Sequence, residues 1–394
     1  MKFIHTSDWH IGRQFHHASL LEDQAFVLDQ IIAHIKSEQV DALVIAGDIY
    51  DRSVPPAAAI SLLDQVLDKI CNELSVPVIL ISGNHDGAQR LSFAAKQLQR
   101  SGLYILADIK QVTEPVIIAG NYFYGIPYHD PETVRDVYAV DVQTHDDPET
   151  VRDVYAVDVQ THDQAHNYLV DQIKQVKSPA VNNILISHCF IAGALESDSE
   201  RSLSVGGAEQ VAYQPLVEFD YVALGHLHSP QKKGHEHIRY SGSILKYSFS
   251  EHQQEKSISL VEMKADGGFK SVTTLALNAR RDMRIIDGDI ETILHAGKHD
   301  PKADDYLLIR LSDRQAILNP MAKLREVYPN VLHLEKPGML TTGEQQMNRE
   351  MLKRGELEMF EDFFQQVSGQ AMSEPQAAEI KRVINALNKA EQTQ

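Results

Sequence analysis

The chain has 394 residues, 43% of them apolar and 23% charged, a balance that excludes disordered and fibrous classes. No run approaches the eighteen or so apolar residues a membrane span needs, and Cys71 and Cys189 form no C-x-x-C pair and read as reduced thiols. The net charge of −18 warns against a simple electrostatic grip on DNA, because duplex binding is driven by Lys and Arg displacing counterions; metals or a basic partner would have to supply that field, and plain solubility is the alternative reading of the charge.

Residues 1–8 read as a strand without the apolar core or cleavage site of a signal peptide, so a cytoplasmic protein is expected. Phe3-Ile4 leads into Ser7-Asp8-Trp9-His10, and an amphipathic helix follows with Leu28, Ile31, Ile32 and Ile35 on one face. The apolar run 42–46 ends in Gly47-Asp48-Ile49-Tyr50-Asp51-Arg52. A second helix opens near Pro55-Pro56 and gathers Leu63, Val66, Leu67, Ile70 and Leu74. The run 78–81 ends in Gly83-Asn84-His85-Asp86, and a third helix carries Leu91, Ala94 and Leu98 as far as Gly102.

After a strand at 122–127 comes an exact tandem repeat. Residues 130–146, DPETVRDVYAVDVQTHD, recur unchanged at 147–163. Two copies of this length are too few and too short for a solenoid. Each opens with Asp-Pro and is expected to form a short surface helix, with His145 and His162 solvated. Ile184-Leu185-Ile186 then precedes Ser187-His188, and Tyr221-Val222-Ala223-Leu224 precedes Gly225-His226-Leu227-His228. Strands alternating with helices predict a layered α/β domain over 1–278, in which ligands collect at the carboxyl ends of strands. All five polar clusters fall there.

The texture changes after residue 278. Strands at 283–286, 306–311 and 331–334 with helical stretches between them predict a small α/β unit over 279–337. The remainder, 338–394, is polar and helical. Its stripes of Phe360, Phe363, Phe364 and Val367, and of Ile380, Val383, Ile384 and Leu387, suit either core packing or a docking face for a partner.

Asp8, His10, Asp48, Asn84, His188, His226 and His228 offer oxygen and nitrogen donors from the five strand ends. That donor set suits Mn²⁺ foremost, with Zn²⁺ or Fe²⁺ as alternatives, and the lack of thiolates argues against a structural zinc site. Seven donors exceed what one open ion needs but match two ions sharing a carboxylate, an arrangement that clamps a phosphoryl centre and lowers the pKa of bound water.

The blocks D-x-H, G-D-x-x-D, G-N-H-D, a lone His and G-H-x-H, in this order across residues 8–228, resemble the calcineurin-like metallophosphoesterase superfamily. Within it, HTSDWHIG, GDIYDR, GNHDG, ALGHLHS, ESDSERSLSVGG at 196–207 and RYSGSILKYSFSE at 239–251 resemble the SbcD-type nuclease subunits. The resemblance is close over about residues 1–280 and holds by layout beyond; the tandem repeat departs from it.

It implies a layered α/β/β/α sandwich with a small C-terminal α/β cap domain and terminal helices. It also implies a first metal held by Asp8, His10, Asp48 and His228, and a second held by Asp48, Asn84, His188 and His226, with Asp48 bridging. His85 would act on the scissile phosphate or protonate the leaving oxygen, and the Asp51 carboxylate would orient it. Arg52 fits a phosphate contact or an ordinary ion pair, and Asp86 fits a turn-stabilising role. The implied activity is Mn²⁺-dependent DNA hydrolysis, as exonuclease and endonuclease. The implied partners are an SbcC-type ATPase and DNA, with a homodimer inside a heterotetramer. No G-x-x-x-x-G-K-[ST] loop occurs, so ATP dependence would belong to the partner. The competing readings are a stand-alone phosphoesterase or phosphatase on a small molecule or phosphoprotein, and a non-catalytic scaffold on the same fold.

Overall fold

The computed structural model describes residues 1–138, 140–141, 154–155, 159–200, 209–313, 315, 317–336, 360–361, 364 and 370–391. The chain divides into two compact units, Met1–Asp282 and Met283–Gln394.

The first unit is built on two six-stranded mixed sheets. In one, Lys2–Thr6, Ala42–Ala46, Val78–Ile81 and Leu103–Leu106 run parallel in that order, and Ser257–Met263 and Phe269–Ala276 extend the Lys2–Thr6 edge antiparallel. In the other, Asn121–Ile126, Asn183–His188, Tyr221–Gly225 and His235–Tyr240 run parallel, flanked by antiparallel Val116–Ile118 and Gln231–Lys233. The strands are apolar almost without interruption because both faces of each sheet are covered. Phe3, Val44, Ile79 and Ile81 of the first sheet pack with Phe123, Ile184, Ile186 and Tyr221 of the second. Outside the second sheet, Leu169, Val170 and Ile173 of helix His162–Val176 pack with Leu185, Val222 and Tyr240. Val27, Leu28, Ile31 and Ile35 of helix Leu21–Glu38, and Leu63 and Val66 of helix Ala57–Asp68, are buried. The layered α/β/β/α sandwich read from the sequence is the architecture of this unit.

Two local expectations fail. The third helix is not continuous: it forms two short turns, Ala88–Leu91 and Ala95–Leu98, broken where Ala94 takes a left-handed φ of 59°. Ser92 Oγ donates to Ala88 O at 2.7 Å, a back-bond that competes with helix propagation, and no residue of either turn is buried to hold the helix together. The repeat copies also diverge. The first supplies helix Pro131–Tyr138, whereas in the second the equivalents of Val137 and Tyr138 lie in strand Val154–Tyr155, paired with Val140–Asp141. The second copy's end starts the long helix His162–Val176 through a capping box in which Thr161 and Gln164 bond reciprocally. Gln164 lies just past the repeat; the first copy has Asp147 at that place, so the box is specified once.

The second unit carries a parallel three-stranded sheet of Met283–Gly288, Tyr306–Leu311 and Val331–Glu335. Helices Ile290–Gly297 and Pro320–Arg325 bury Ile293 and Leu324 with Leu307, Ile309 and Val331. Helix Glu374–Glu391 follows. Of the expected Phe360–Phe363–Phe364–Val367 stripe, Phe363 and Val367 lie outside the described residues.

Candidate metal centre

The five polar clusters meet at the carboxyl ends of the two sheets' strands. The chain turns sharply there. Asp8, His10 and Asp48 hold left-handed φ values of 53°, 45° and 51°, a conformation costly for residues with a Cβ and concentrated at functional sites. Two glycines allow the crowding. A Cβ on Gly83 would lie 2.1 Å from Asp48 Oδ1, and one on Gly225 would lie 1.8 Å from Ala46 O.

Asp8, His10 and His228 converge with donor atoms within 4.8 Å of one another, as do Asp8, Asp48 and His188. The Nε2 atoms of His10 and His228 stand 3.1 Å apart. Asp48 Oδ2 lies 3.6 Å from His10 Nε2 and 3.5 Å from His188 Nε2, so this carboxylate faces both sides of the cluster. Asn84 Oδ1 lies 3.0 Å from His188 Nε2 and 3.1 Å from His226 Nδ1. All seven predicted donor residues are therefore gathered into one place.

The donor set fits two divalent cations: the Nε2 atoms of His10 and His228 crowd each other, the Asp48 carboxylate faces His10 and His188, and Asn84 Oδ1 faces His188 and His226, all oxygen and nitrogen donors suited to a hard or borderline ion. Burial holds His10 well below the usual imidazole range despite Asp48, and burial with the nearby His188 takes His226 down to about 3, so both offer neutral lone pairs. Burial alone would depress His188 too, but the Asp48 carboxylate overrides it and pushes His188 up to about 9. Burial also raises Asp8 to about 6, against the pull of His188 and His228.

His85 stands at the edge of the cluster, its ring 4.7 Å from that of His10. Its Nδ1–H donates to the main-chain carbonyl of Asp51 at 2.8 Å. Asp51 thus holds His85 through the backbone, not through its carboxylate as expected. The carboxylate turns instead to Arg13, 3.2 Å away, and lies 3.8 Å from His10 Nδ1. Arg52 is an exposed side chain 3.8 Å from Asp51 Oδ2, the ion-pair alternative of its two readings. Asp86 is a turn-former: it accepts N–H bonds from Ile49, Tyr50 and Gly83.

The expectation that His162 is solvated is corrected. It is half-buried and, with His129, His166 and Glu209, lines a recess shared with His188 and His226; His145 lies outside the described residues. Sequence reasoning also missed the residues behind His228. Ser199, Glu200, Glu251 and Lys256 sit within or beside the quoted blocks at 196–207 and 239–251, but nothing in those strings reveals that they converge on one histidine, its ring and its main chain.

The calcineurin-like phosphoesterase family pattern matches residues 1–230, and a type 5 capsule protein repressor C-terminal domain pattern matches residues 279–368. The SbcD subunit of the SbcCD nuclease from Staphylococcus epidermidis is 34% identical over 386 residues, covering 98% of each chain. This chain belongs to the SbcD family of calcineurin-like phosphoesterases. Membership rests on nearly the whole length, including the second unit. Solved structures are similar at greater distance. A dimetal phosphatase from Danio rerio is 12% identical with a TM-score of 0.40, covering 71% of this chain and 99% of its own. A Thermus thermophilus protein is 11% identical with a TM-score of 0.40, covering 70% of this chain and 99% of its own. Calcineurin-like phosphoesterases use two divalent metals, which matches the donor set. The chain is a homologue of an SbcD nuclease subunit and a hydrolase of the phosphoesterase class.

Proposed function

We propose that this chain is the Mn²⁺-dependent nuclease subunit of an SbcCD-type complex, hydrolysing DNA phosphodiesters as a double-strand exonuclease and a single-strand or hairpin endonuclease. The single observation that carries the reading is the convergence of Asp8, His10, Asp48, Asn84, His188, His226 and His228 in a chain related over nearly its full length to an SbcD nuclease subunit. Asp8, His10, Asp48 and His228 hold one ion, and Asp48, Asn84, His188 and His226 the other. The bound pair supplies Lewis acidity toward the phosphoryl oxygens and a lowered pKa for water.

The chain's own groups do the rest. His85, fixed as the Nδ1–H tautomer by Asp51 O, keeps Nε2 for proton transfer at the leaving oxygen. Arg13 sits between the Asp51 carboxylate and the ring of Tyr247, its guanidinium 5.0 Å from the ring centre, and steadies that edge.

Residues 1–278 form the nuclease domain, 279–337 a capping domain, and 338–394 a docking segment for an SbcC-type ATPase. That partner supplies the ATP dependence and much of the DNA-binding surface that a net charge of −18 cannot. A homodimer inside a heterotetramer is supported by an apolar groove lined by Ile60, Leu63, Leu67, Leu91 and Phe93, in which Phe93 is 82% exposed and Ile60 48%. A cytoplasmic location agrees with free Cys71 and Cys189, and no helix among the described residues is long and apolar enough to cross a membrane.

The test is cleavage of hairpin and linear duplex DNA with Mn²⁺, with and without the ATPase and ATP. Metal-dependent cleavage that the complete complex extends to hairpins is the expected result. Hydrolysis of a small phosphate ester with no cleavage of either DNA by the complex would overturn the reading.

A further inference from the structure

His228 is gripped from behind by a buried relay. Lys256 Nζ lies 2.5 Å from Glu251 Oε2 and donates to His228 O at 2.8 Å, and both side chains are almost fully buried. The ammonium of Lys256 donates to Oε2 and the Tyr247 main-chain N–H donates to Oε1 at 3.3 Å, so Glu251 stands as a paired carboxylate and an acceptor only. Ser199 Oγ, itself buried, makes a short bond to Glu251 Oε1 and stands 2.6 Å from His228 Nδ1. A hydroxyl has one proton to give. With that proton directed to Glu251, Ser199 Oγ must accept from His228, and Nδ1 carries the hydrogen. The lone pair is left on Nε2, the atom that faces His10 Nε2.

The same segment holds the backbone of His228. Glu200 Oε1 accepts the His228 main-chain N–H at 2.7 Å, while its other oxygen accepts from Ser197 Oγ at 2.6 Å. Ser199 O in turn accepts from Arg13 at 3.3 Å, the residue that pairs with Asp51.

We infer that Ser199, backed by the Glu251–Lys256 pair, is a positioning residue for the first metal: it locks His228 in the tautomer and rotamer whose Nε2 can take the ion. This rests on the two-metal reading above. Outer partners of metal-bound imidazoles set ligand basicity and orientation, and losing one costs about 10- to 100-fold in metal affinity. The specific claim is selectivity. Of the seven donor residues the relay bonds only His228, so one ion should suffer and the other should not.

The test titrates Mn²⁺ into the full-length metal-free chain by calorimetry and by electron paramagnetic resonance, which reports an exchange-coupled pair. Ser199→Ala should weaken one of two sites by roughly 10- to 100-fold, leave the other unchanged, and replace the coupled signal by that of a single ion at limiting metal. Ser199→Thr, which keeps the hydroxyl, should restore both sites. Glu251→Gln, which removes the charge orienting that hydroxyl, should reproduce the selective loss. Two wild-type affinities in Ser199→Ala, or equal weakening of both sites, overturns the inference, as does a Ser199→Thr chain that behaves like the alanine variant. A wild-type chain that fails to take two ions defeats the two-metal reading itself, and this inference with it.

Discussion

Asp86 accepts the main-chain N–H of Tyr50 at 2.9 Å through Oδ1, while its Oδ2 accepts those of Gly83 at 2.9 Å and Ile49 at 3.0 Å. One carboxylate therefore ties the loop bearing Asp48 to the loop bearing Asn84 and His85. Asp86→Ala leaves three N–H groups without that acceptor. Charge-assisted bonds of this kind contribute about 1.5–3 kcal/mol each and do not add fully, so a loss on the order of 3 kcal/mol is expected. Denaturant unfolding of the metal-free chain measures it. A change under about 0.5 kcal/mol, the range of an ordinary surface substitution, would show that the loops are held without Asp86.

His85 separates chemistry from metal binding. Its Nδ1 is committed to Asp51 O, so His85→Leu should leave both Mn²⁺ affinities intact while lowering kcat by about 10²- to 10⁴-fold, the usual worth of a positioned acid or base. Calorimetry and steady-state kinetics on the same preparation decide it. Loss of an ion would make His85 a ligand, and unchanged kcat would remove it from the chemistry. Because Asp51 acts on His85 through its backbone carbonyl, Asp51→Asn should perturb kcat far less than His85→Leu.

The site was legible where spacing and residue type carry the chemistry. Asp8, His10, Asp48, Asn84, His188, His226 and His228 each follow an apolar strand, and strand ends in a layered α/β fold must meet. The division of labour at Asp51 was not legible, because sequence names a carboxylate and cannot say that the same residue's carbonyl will do the holding. Ser199 and Glu251 were hidden for a different reason. They are 52 residues apart and touch only through folding, so no periodicity links them. The broken helix at Ala94 misled because Leu91, Ala94 and Leu98 have helical spacing, and spacing takes no account of the Ser92 back-bond. Helix Glu374–Glu391 was visible in outline from its apolar spacing alone.

His188 makes metal binding and stability depend on pH in opposite ways. Its folded pKa of about 9 exceeds the unfolded value of 6.5 because the Asp48 carboxylate outweighs burial. In the metal-free chain this pair therefore contributes stability that is fully present below pH 6.5 and is lost as pH rises through about 9. Metal ligation needs the neutral ring, so below about pH 9 binding must expel a proton from His188, and affinity should rise with pH up to that point. Calorimetry in buffers of different ionisation enthalpy, at about pH 7.5, should report close to one proton released per chain from this group. Release of none would place His188 outside the metal's reach.

The tandem repeat permits an unusually clean deletion. Removing 130–146 or 147–163 yields the same protein, because the copies are identical. The fold uses the front of the first copy, helix Pro131–Tyr138, and the back of the second, where Val159 is buried and Thr161 caps helix His162–Val176. A single copy contains both in the right order, with three residues, Ala-Val-Asp, left to join Tyr138 to the segment Val159 now occupies. The Arg135 bond to Val159 O, 2.6 Å long, can form again across that shorter link. Shortening a connection changes its closure entropy only slowly, by about 0.6 kcal/mol per halving of length. Going from twenty connecting residues (139–158) to three is nearly three halvings, so the single-copy chain should fold with a stability within about 2 kcal/mol of the parent and bind two Mn²⁺ ions as tightly. Thermal unfolding and Mn²⁺ titration of the deletion variant check both statements. A loss of several kcal/mol, or of one ion, would mean that the residues between Tyr138 and Val159 help to build the wall beside His188 and His226 and are not a tolerated insertion.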